Sequence, residues 1–204
     1  MQPQVTIIDY GIGNLSSIAN ILKKIGVTSV VTNKKEDIEN ACKLILPGVG
    51  SFDYGITKLK SLDLENILNQ KVLIDKTPIL GLCLGFQLMT QGSEEGIQKG
   101  LGWFNASCSK FKVNTDNYKI PHMGWNYVQN YKSNTLTNGL DIMKFYFVHS
   151  YHIDNEQPED IMLTANYCYD FTCGMQKENI FGVQFHPEKS HKYGMQLFKN
   201  FAAV

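Results

Sequence analysis

Pro78-Ile79-Leu80-Gly81-Leu82-Cys83-Leu84-Gly85-Phe86-Gln87 opens as a short apolar strand and turns sharply into a helix predicted from Leu84 to Gln91. A run of this kind, apolar without alternation, fits a strand covered on both faces, as in a parallel sheet. The same grammar repeats upstream. Val5-Thr6-Ile7-Ile8-Asp9 reads as a buried strand ending in the turn Gly11-Ile12-Gly13-Asn14, after which Leu15, Ile18, Ala19, Leu22 and Ile25 recur at helical spacing. Gly26 closes that helix, Val27 to Thr32 gives a second strand, and Leu44-Ile45-Leu46 before Pro47-Gly48 a third. A helical stretch from Leu59 to Val72 leads back to Pro78. Strands separated by helices imply a parallel sheet with helices on both faces.

Downstream the pattern changes. Between Gly100 and Val183, aromatic and β-branched runs such as Ala106 to Val113, Lys144 to Tyr151 and Ile161 to Asn166 alternate with polar turns, which predicts antiparallel additions to the sheet. A last helix from His191 to Phe201 packs Met195, Leu197, Phe198 and Phe201 inward. With no repeat, low-complexity tract or linker, residues 1–204 read as one α/β domain. A chain of 204 residues can bury roughly 70% of its unfolded surface.

Composition excludes several classes of function. Hydrophobic residues make up 43% and charged residues 19%, an ordinary globular balance. The formal net charge is zero with no basic block, so neither nucleic acid nor an anionic membrane is expected as a ligand. All 19 basic residues are lysine. Without arginine, phosphate or carboxylate recognition falls to backbone amides or to a partner. Cys42, Cys83, Cys108, Cys168 and Cys173 are odd in number, as in a reduced intracellular protein. Cys168-x4-Cys173 lacks the spacing and companions of a zinc site, so no metal and no cofactor is expected. No run approaches the ~18 apolar residues of a membrane span, and the first residues lack a signal-peptide pattern. A soluble, cytoplasmic protein is expected.

Gly81-Leu82-Cys83-Leu84-Gly85 has the G-x-C-x-G form of a nucleophile elbow, in which the chain turns so tightly that the side chain between strand and helix projects into solvent. A helix N-terminus also favours the thiolate form of a cysteine placed there. The same five residues equally fit a buried cysteine in an ordinary βα turn. Phe185-His186-Pro187-Glu188 follows another apolar strand, Ile180 to Val183; in extended backbone, His186 and Glu188 point to one side, where the carboxylate can orient the imidazole. Together Cys83, His186 and Glu188 form a candidate triad. Gly48-Val49-Gly50 leaves backbone N–H groups unshielded, a candidate oxyanion hole with the N–H of Leu84 as second donor, or simply a tight turn. Gly11-Ile12-Gly13-Asn14 lacks the third glycine of a dinucleotide loop.

Gly81 to Gln87, Leu46-Pro47-Gly48-Val49-Gly50 and Phe185-His186-Pro187-Glu188-Lys189-Ser190 together resemble the class I (triad) glutamine amidotransferases, a flavodoxin-like α/β fold. Asp9-Tyr10-Gly11-Ile12-Gly13-Asn14, Pro121-His122-Met123-Gly124-Trp125-Asn126 and Tyr146-Phe147-Val148-His149-Ser150-Tyr151 narrow the resemblance to the glutaminase subunits of imidazole glycerol phosphate synthases. The resemblance implies that Cys83 attacks the side-chain amide of glutamine, His186 shuttles the proton and Glu188 holds the imidazole. It further implies that Gln87 contacts the substrate, that backbone at Ser150 and Tyr151 holds its amino-acid end, and that His122, Trp125 and Lys189 lie on or near the face meeting a cyclase subunit. That subunit would complete a heterodimer and use the ammonia to make imidazole glycerol phosphate and AICAR in histidine biosynthesis. Ser16-Ser17 stands where many members carry an arginine. A paralogous subunit serving surface-sugar amidation, and a cysteine hydrolase of the same fold, are the alternative readings.

Overall fold

A computed structural model describes residues 3–113, 117–155 and 157–204. Along the chain run β1 (Val5–Ile8), α1 (Leu15–Lys24), β2 (Ser29–Thr32), α2 (Lys35–Glu39), β3 (Leu44–Leu46), α3 (Phe52–Ser61), α4 (Glu65–Asn69), β4 (Ile79–Leu82) and α5 (Leu84–Leu88). The second half comprises β5 (Ala106–Lys110), β6 (His122–Asn130), β7 (Met143–His149), β8 (Tyr151–Asn155), β9 (Ile161–Tyr167), β10 (Tyr169–Lys177), β11 (Ile180–Val183) and α6 (His191–Ala203). One sheet runs in the order β2-β1-β3-β4-β11-β10-β9-β6-β7, and the β5–β8 pair joins it through β10. The first five strands are parallel; from β11 to β7 every neighbour is antiparallel. Among the described residues no helix is long and apolar enough to cross a membrane.

The parallel half is buried on both faces because its strands have no polar side. Ile8, Leu44, Leu46 and Ile79 pack with α2, α3, α4 and α5, while their alternates Ile7, Ile45, Leu80 and Leu82 pack with α1 and α6. Helix α1 ends as its sequence indicates: Gly26, at φ +81°, sends its N–H to Lys23 O while Val27 N bonds Leu22 O. The stretch expected as one helix from Leu59 to Val72 is instead two. Asp63, at φ +51°, sends its N–H to Lys60 O while Leu64 N bonds Leu59 O, the same closure with an aspartate in glycine's place. Helix α3 starts early, at Phe52, and α4 runs on through a π-turn at Gln70–Ile74. The run from Lys144 to Tyr151 likewise divides at Ser150 into β7 and β8.

Strand β1 leaves its neighbours β2 and β3 on opposite sides, a topological switch where open α/β sheets place their sites at carboxyl strand ends. The turns after β1, β3, β4 and β11 gather at that edge, and glycines let them close up. Gly13 packs on Pro47, and Gly85 sits so tightly under the Leu46 carbonyl that an added Cβ would lie 1.9 Å from that oxygen. Backbone cannot yield as a side-chain tip does. Gly85→Ala should therefore destabilise the chain by about 2–4 kcal/mol, whereas Gly92→Ala, whose nearest neighbour would be 3.8 Å away, should cost about 0.5 kcal/mol or less. Equal midpoints for the two variants in urea unfolding would contradict this close approach.

Candidate active site

Cys83 stands between β4 and α5 with φ +53° and ψ −111°, a conformation that non-glycine residues rarely hold. Its N–H bonds Val183 O on β11, and its carbonyl accepts from Phe86 and Gln87, so the pivot is fixed at both ends. The strained elbow is as expected; the projection into open solvent is not. Cys83 is 7% exposed, and the Gln184 side-chain amide lies 3.7 Å from its sulfur. Gln184 follows directly on β11, which pairs with β4 through Val183 and Leu82, and that register sets the amide beside the elbow.

His186 comes two residues later and keeps extended backbone, its N–H on Tyr146 O of β7. Glu188 does not share that extension, because Pro187 begins a 3₁₀ turn through Lys189. The turn still brings the two together: His186 Nδ1 lies 2.8 Å from Glu188 Oε1, with both side chains 2% exposed. The same oxygen accepts from Asn14 Nδ2 at 2.8 Å, across 174 residues. Asn14 closes the glycine-rich turn and stands immediately before α1, and that position is the one sequence signal that marks it. The Ser190 hydroxyl donates to His186 O, and the Tyr146 N–H donates to Ser190 Oγ.

This enclosure sets the charge state. Burial disfavours the His186 imidazolium, but the charge of Cys83, and then Glu188, more than offsets it and raises the pKa to about 10. Burial likewise opposes ionisation of Glu188, yet His186 and Asn14 hold its pKa below the usual value. His186 Nε2 is buried and makes no hydrogen bond of ordinary length among the described residues, while the Cys83 side chain acts on the ring both as a charge and as a hydrogen-bond partner.

The Pro47 to Gly50 turn meets the elbow directly: an added Cβ on Gly48 would lie 2.6 Å from Gly85 N and 2.8 Å from Leu84 Cβ. The two backbone segments expected to supply oxyanion donors are thus in contact. Tyr10, whose phenol is kept protonated first by burial and then by Cys83, donates to Pro47 O and pins the start of this turn. Val49 is 38% exposed, and Gly50, at φ +105°, has nothing within 4 Å of an added Cβ. Gln87 Nε2 donates to Gln184 Oε1 at 2.9 Å and to Tyr151 O at 3.2 Å, which links Gln87 and the Tyr151 backbone through Gln184 to the Cys83 sulfur.

The residues expected at a partner face divide. Trp125 is 41% exposed and stacks on His191 at 5.4 Å, with Tyr146 edge-on at 6.3 Å. Exposed Lys189 has its ammonium 5.7 Å from the same Tyr146 ring. His122 is instead 3% exposed, stacked between Phe147 and Tyr167. The pleat explains the difference: positions 122 and 125 of one strand face opposite sides, and Met123, Trp125 and Tyr127 share the exposed one.

Because its folded pKa lies above the ordinary 6.5, the His186 imidazolium contributes stability that is fully present below that pH and lost as pH rises through about 10. Glu188→Gln removes one supporting charge and Cys83→Ala the larger one. Each should move the His186 midpoint, followed by imidazole NMR, down by about one unit or more. A midpoint unmoved in both variants would contradict the ion-pair assignment.

A family described as "Glutamine amidotransferase class-I" matches residues 6–204. "Imidazole glycerol phosphate synthase subunit HisH 2" of Methanococcus maripaludis is 54% identical over 198 residues, spanning 97% of this chain and 98% of the relative. The protein of the same name from Pseudomonas aeruginosa is 46% identical over 201 residues, spanning 98% and 99%. A solved glutamine amidotransferase structure superposes with a TM-score of 0.76 at 17% identity, covering 98% of this chain and 99% of that one, which supports the fold alone. A family match over nearly the whole length, joined to relatives at these identities, has one consequence: the chain belongs to the class-I glutamine amidotransferases.

Proposed function

We propose that this chain is the glutaminase subunit of an imidazole glycerol phosphate synthase, a cytoplasmic enzyme in which it hydrolyses glutamine and passes ammonia to a cyclase subunit bound as a heterodimer. The observation that carries the chemistry is the buried His186–Glu188 pair set against the Cys83 elbow. Kinship to two synthase subunits over nearly their full lengths supports the acceptor.

In this reading the Cys83 sulfur attacks the side-chain amide carbon of glutamine. Backbone N–H groups at Gly48 to Gly50 and at Leu84 take up the charge on oxygen. The imidazolium gives its Nε2 proton to the departing nitrogen, and ammonia leaves a thioester. Water then attacks that carbonyl and yields its proton to Nε2, releasing glutamate and the sulfur. Gln87 and the backbone at Ser150 and Tyr151 hold the substrate, and with no arginine in the chain its α-carboxylate falls to backbone amides. The cluster of Trp125, Tyr146 and Lys189 meets the cyclase. Tyr146 O also holds the N–H of His186, so this surface is one hydrogen bond from the catalytic histidine.

Cys83→Ala should abolish glutamine-dependent product formation by the assembled enzyme, while ammonium salt restores it, because the acceptor chemistry belongs to the partner. Glutamine-dependent activity within tenfold of the parent would remove Cys83 from its role; failure of ammonium would remove the free-ammonia route.

The turn after β3 is pinned at Pro47 and Gly48 but unconfined at Val49 and Gly50. Partner and acceptor should therefore raise glutamine hydrolysis about tenfold or more by ordering that peptide, a differential stabilisation of about 1.4 kcal/mol. Steady-state rates for the chain alone and in complex decide this, and equal rates would refute gating while leaving the triad intact.

A further inference from the structure

Two buried histidines outside the triad join strand β6, next to the sheet's edge, to the glutamine pocket. His149 Nδ1 lies 2.8 Å from Tyr151 O, and a carbonyl only accepts, so Nδ1 carries the proton. Burial depresses the His149 pKa to about 3 and that of His122 to about 4, so both rings are neutral at ordinary pH. His149 Nε2 must then accept, and the His122 Nδ1–H that faces it at 2.9 Å donates. His122 Nε2 in turn accepts from Asn126 Nδ2 at 3.2 Å. The orientation of that amide is set independently, since Nδ2 also donates to Asn166 O and Oδ1 accepts the Tyr127 N–H. Beyond Tyr151 O the path continues through Gln87 and Gln184 to the Cys83 sulfur. No bond in the series can be reversed without leaving a buried donor or acceptor unmatched.

We propose that His149 and His122 are positioning residues for glutamine: their fixed hydrogen bonds hold the Tyr151 carbonyl, and with it the Gln87 and Gln184 amides, in the arrangement that receives the substrate. The proposal rests on the glutaminase reading above. Neither histidine touches Cys83, so their loss should disturb the fit of a glutamine-shaped molecule and spare the intrinsic reactivity of the sulfur. Asn126, next to the exposed Trp125, is the outer end of the series, which places a cyclase-facing strand in register with the pocket.

The test uses the full chain and two probes of Cys83. A chloroketone analogue of glutamine gives a saturable inactivation with separable KI and kinact; iodoacetamide reads the sulfur without using the pocket. His149→Phe keeps ring packing against Phe111, Phe147 and Phe171 but removes both hydrogen bonds. It should raise KI about tenfold, with kinact and the iodoacetamide rate within about threefold of the parent. His149→Gln, which can donate to Tyr151 O and accept from His122, should recover KI to within about threefold. Should His149→Phe fail to fold, Asn126→Leu removes the outermost donor and should raise KI about threefold. Values of KI within twofold of the parent in every folded variant would overturn the relay, as would KI and iodoacetamide reactivity deteriorating together. A parent that the chloroketone labels without saturation would instead refute the glutamine site itself.

Discussion

A carboxylate taken out of water must be paired or it will not remain ionised, and Glu188 is such a group. One of its oxygens receives the imidazole of His186 and the amide of Asn14, the first from its own turn and the second from the start of α1. That requirement ties the two ends of the chain together. It also explains why a glycine-rich turn near the N-terminus belongs to a site whose cysteine elbow follows another strand. The imidazolium is stabilised in the same interior, so Glu188, His186 and Cys83 share one electrostatic balance and none can be altered alone.

The sheet supplies the frame for that balance. Four turns converge at the carboxyl ends of β1, β3, β4 and β11, and the small separations among them are set by backbone packed on backbone at Gly48 and Gly85. Such contacts hold the elbow rigid while the exposed half of the neighbouring turn stays unconfined. Confinement at Gly48 and open space at Gly50 thus lie side by side in one turn, packed against an elbow that comes from a different strand.

Much of this could be read from residues alone, where local chemistry dictates local shape. The apolar runs of β1, β3, β4 and β11 and the Gly26 closure are legible in the sequence, as are the cysteine elbow and the pairing of His186 with Glu188, although Pro187 makes that pair through a 3₁₀ turn rather than extended backbone. What escaped depended on relations between distant segments. Asp63 ends a helix in a conformation usually taken by glycine, so composition gave no stop. Asn14 and Gln184 acquire roles only through strand register. His122 sits in a motif tied to the partner face, and only the pleat of β6 sends it inward while Trp125 stays outside.

Strand β7 ends the sheet, and a terminal strand offers unpaired backbone groups to any passing chain. Here the middle of that edge is already occupied. Tyr146 gives its N–H to the Ser190 hydroxyl and accepts the His186 N–H on its carbonyl, so the segment that carries His186 and Glu188 also covers the margin of the sheet. Chemistry and colloidal behaviour are thereby joined in one strip of chain. Loosening that strip would free the Tyr146 backbone groups and open the middle of the edge to pairing.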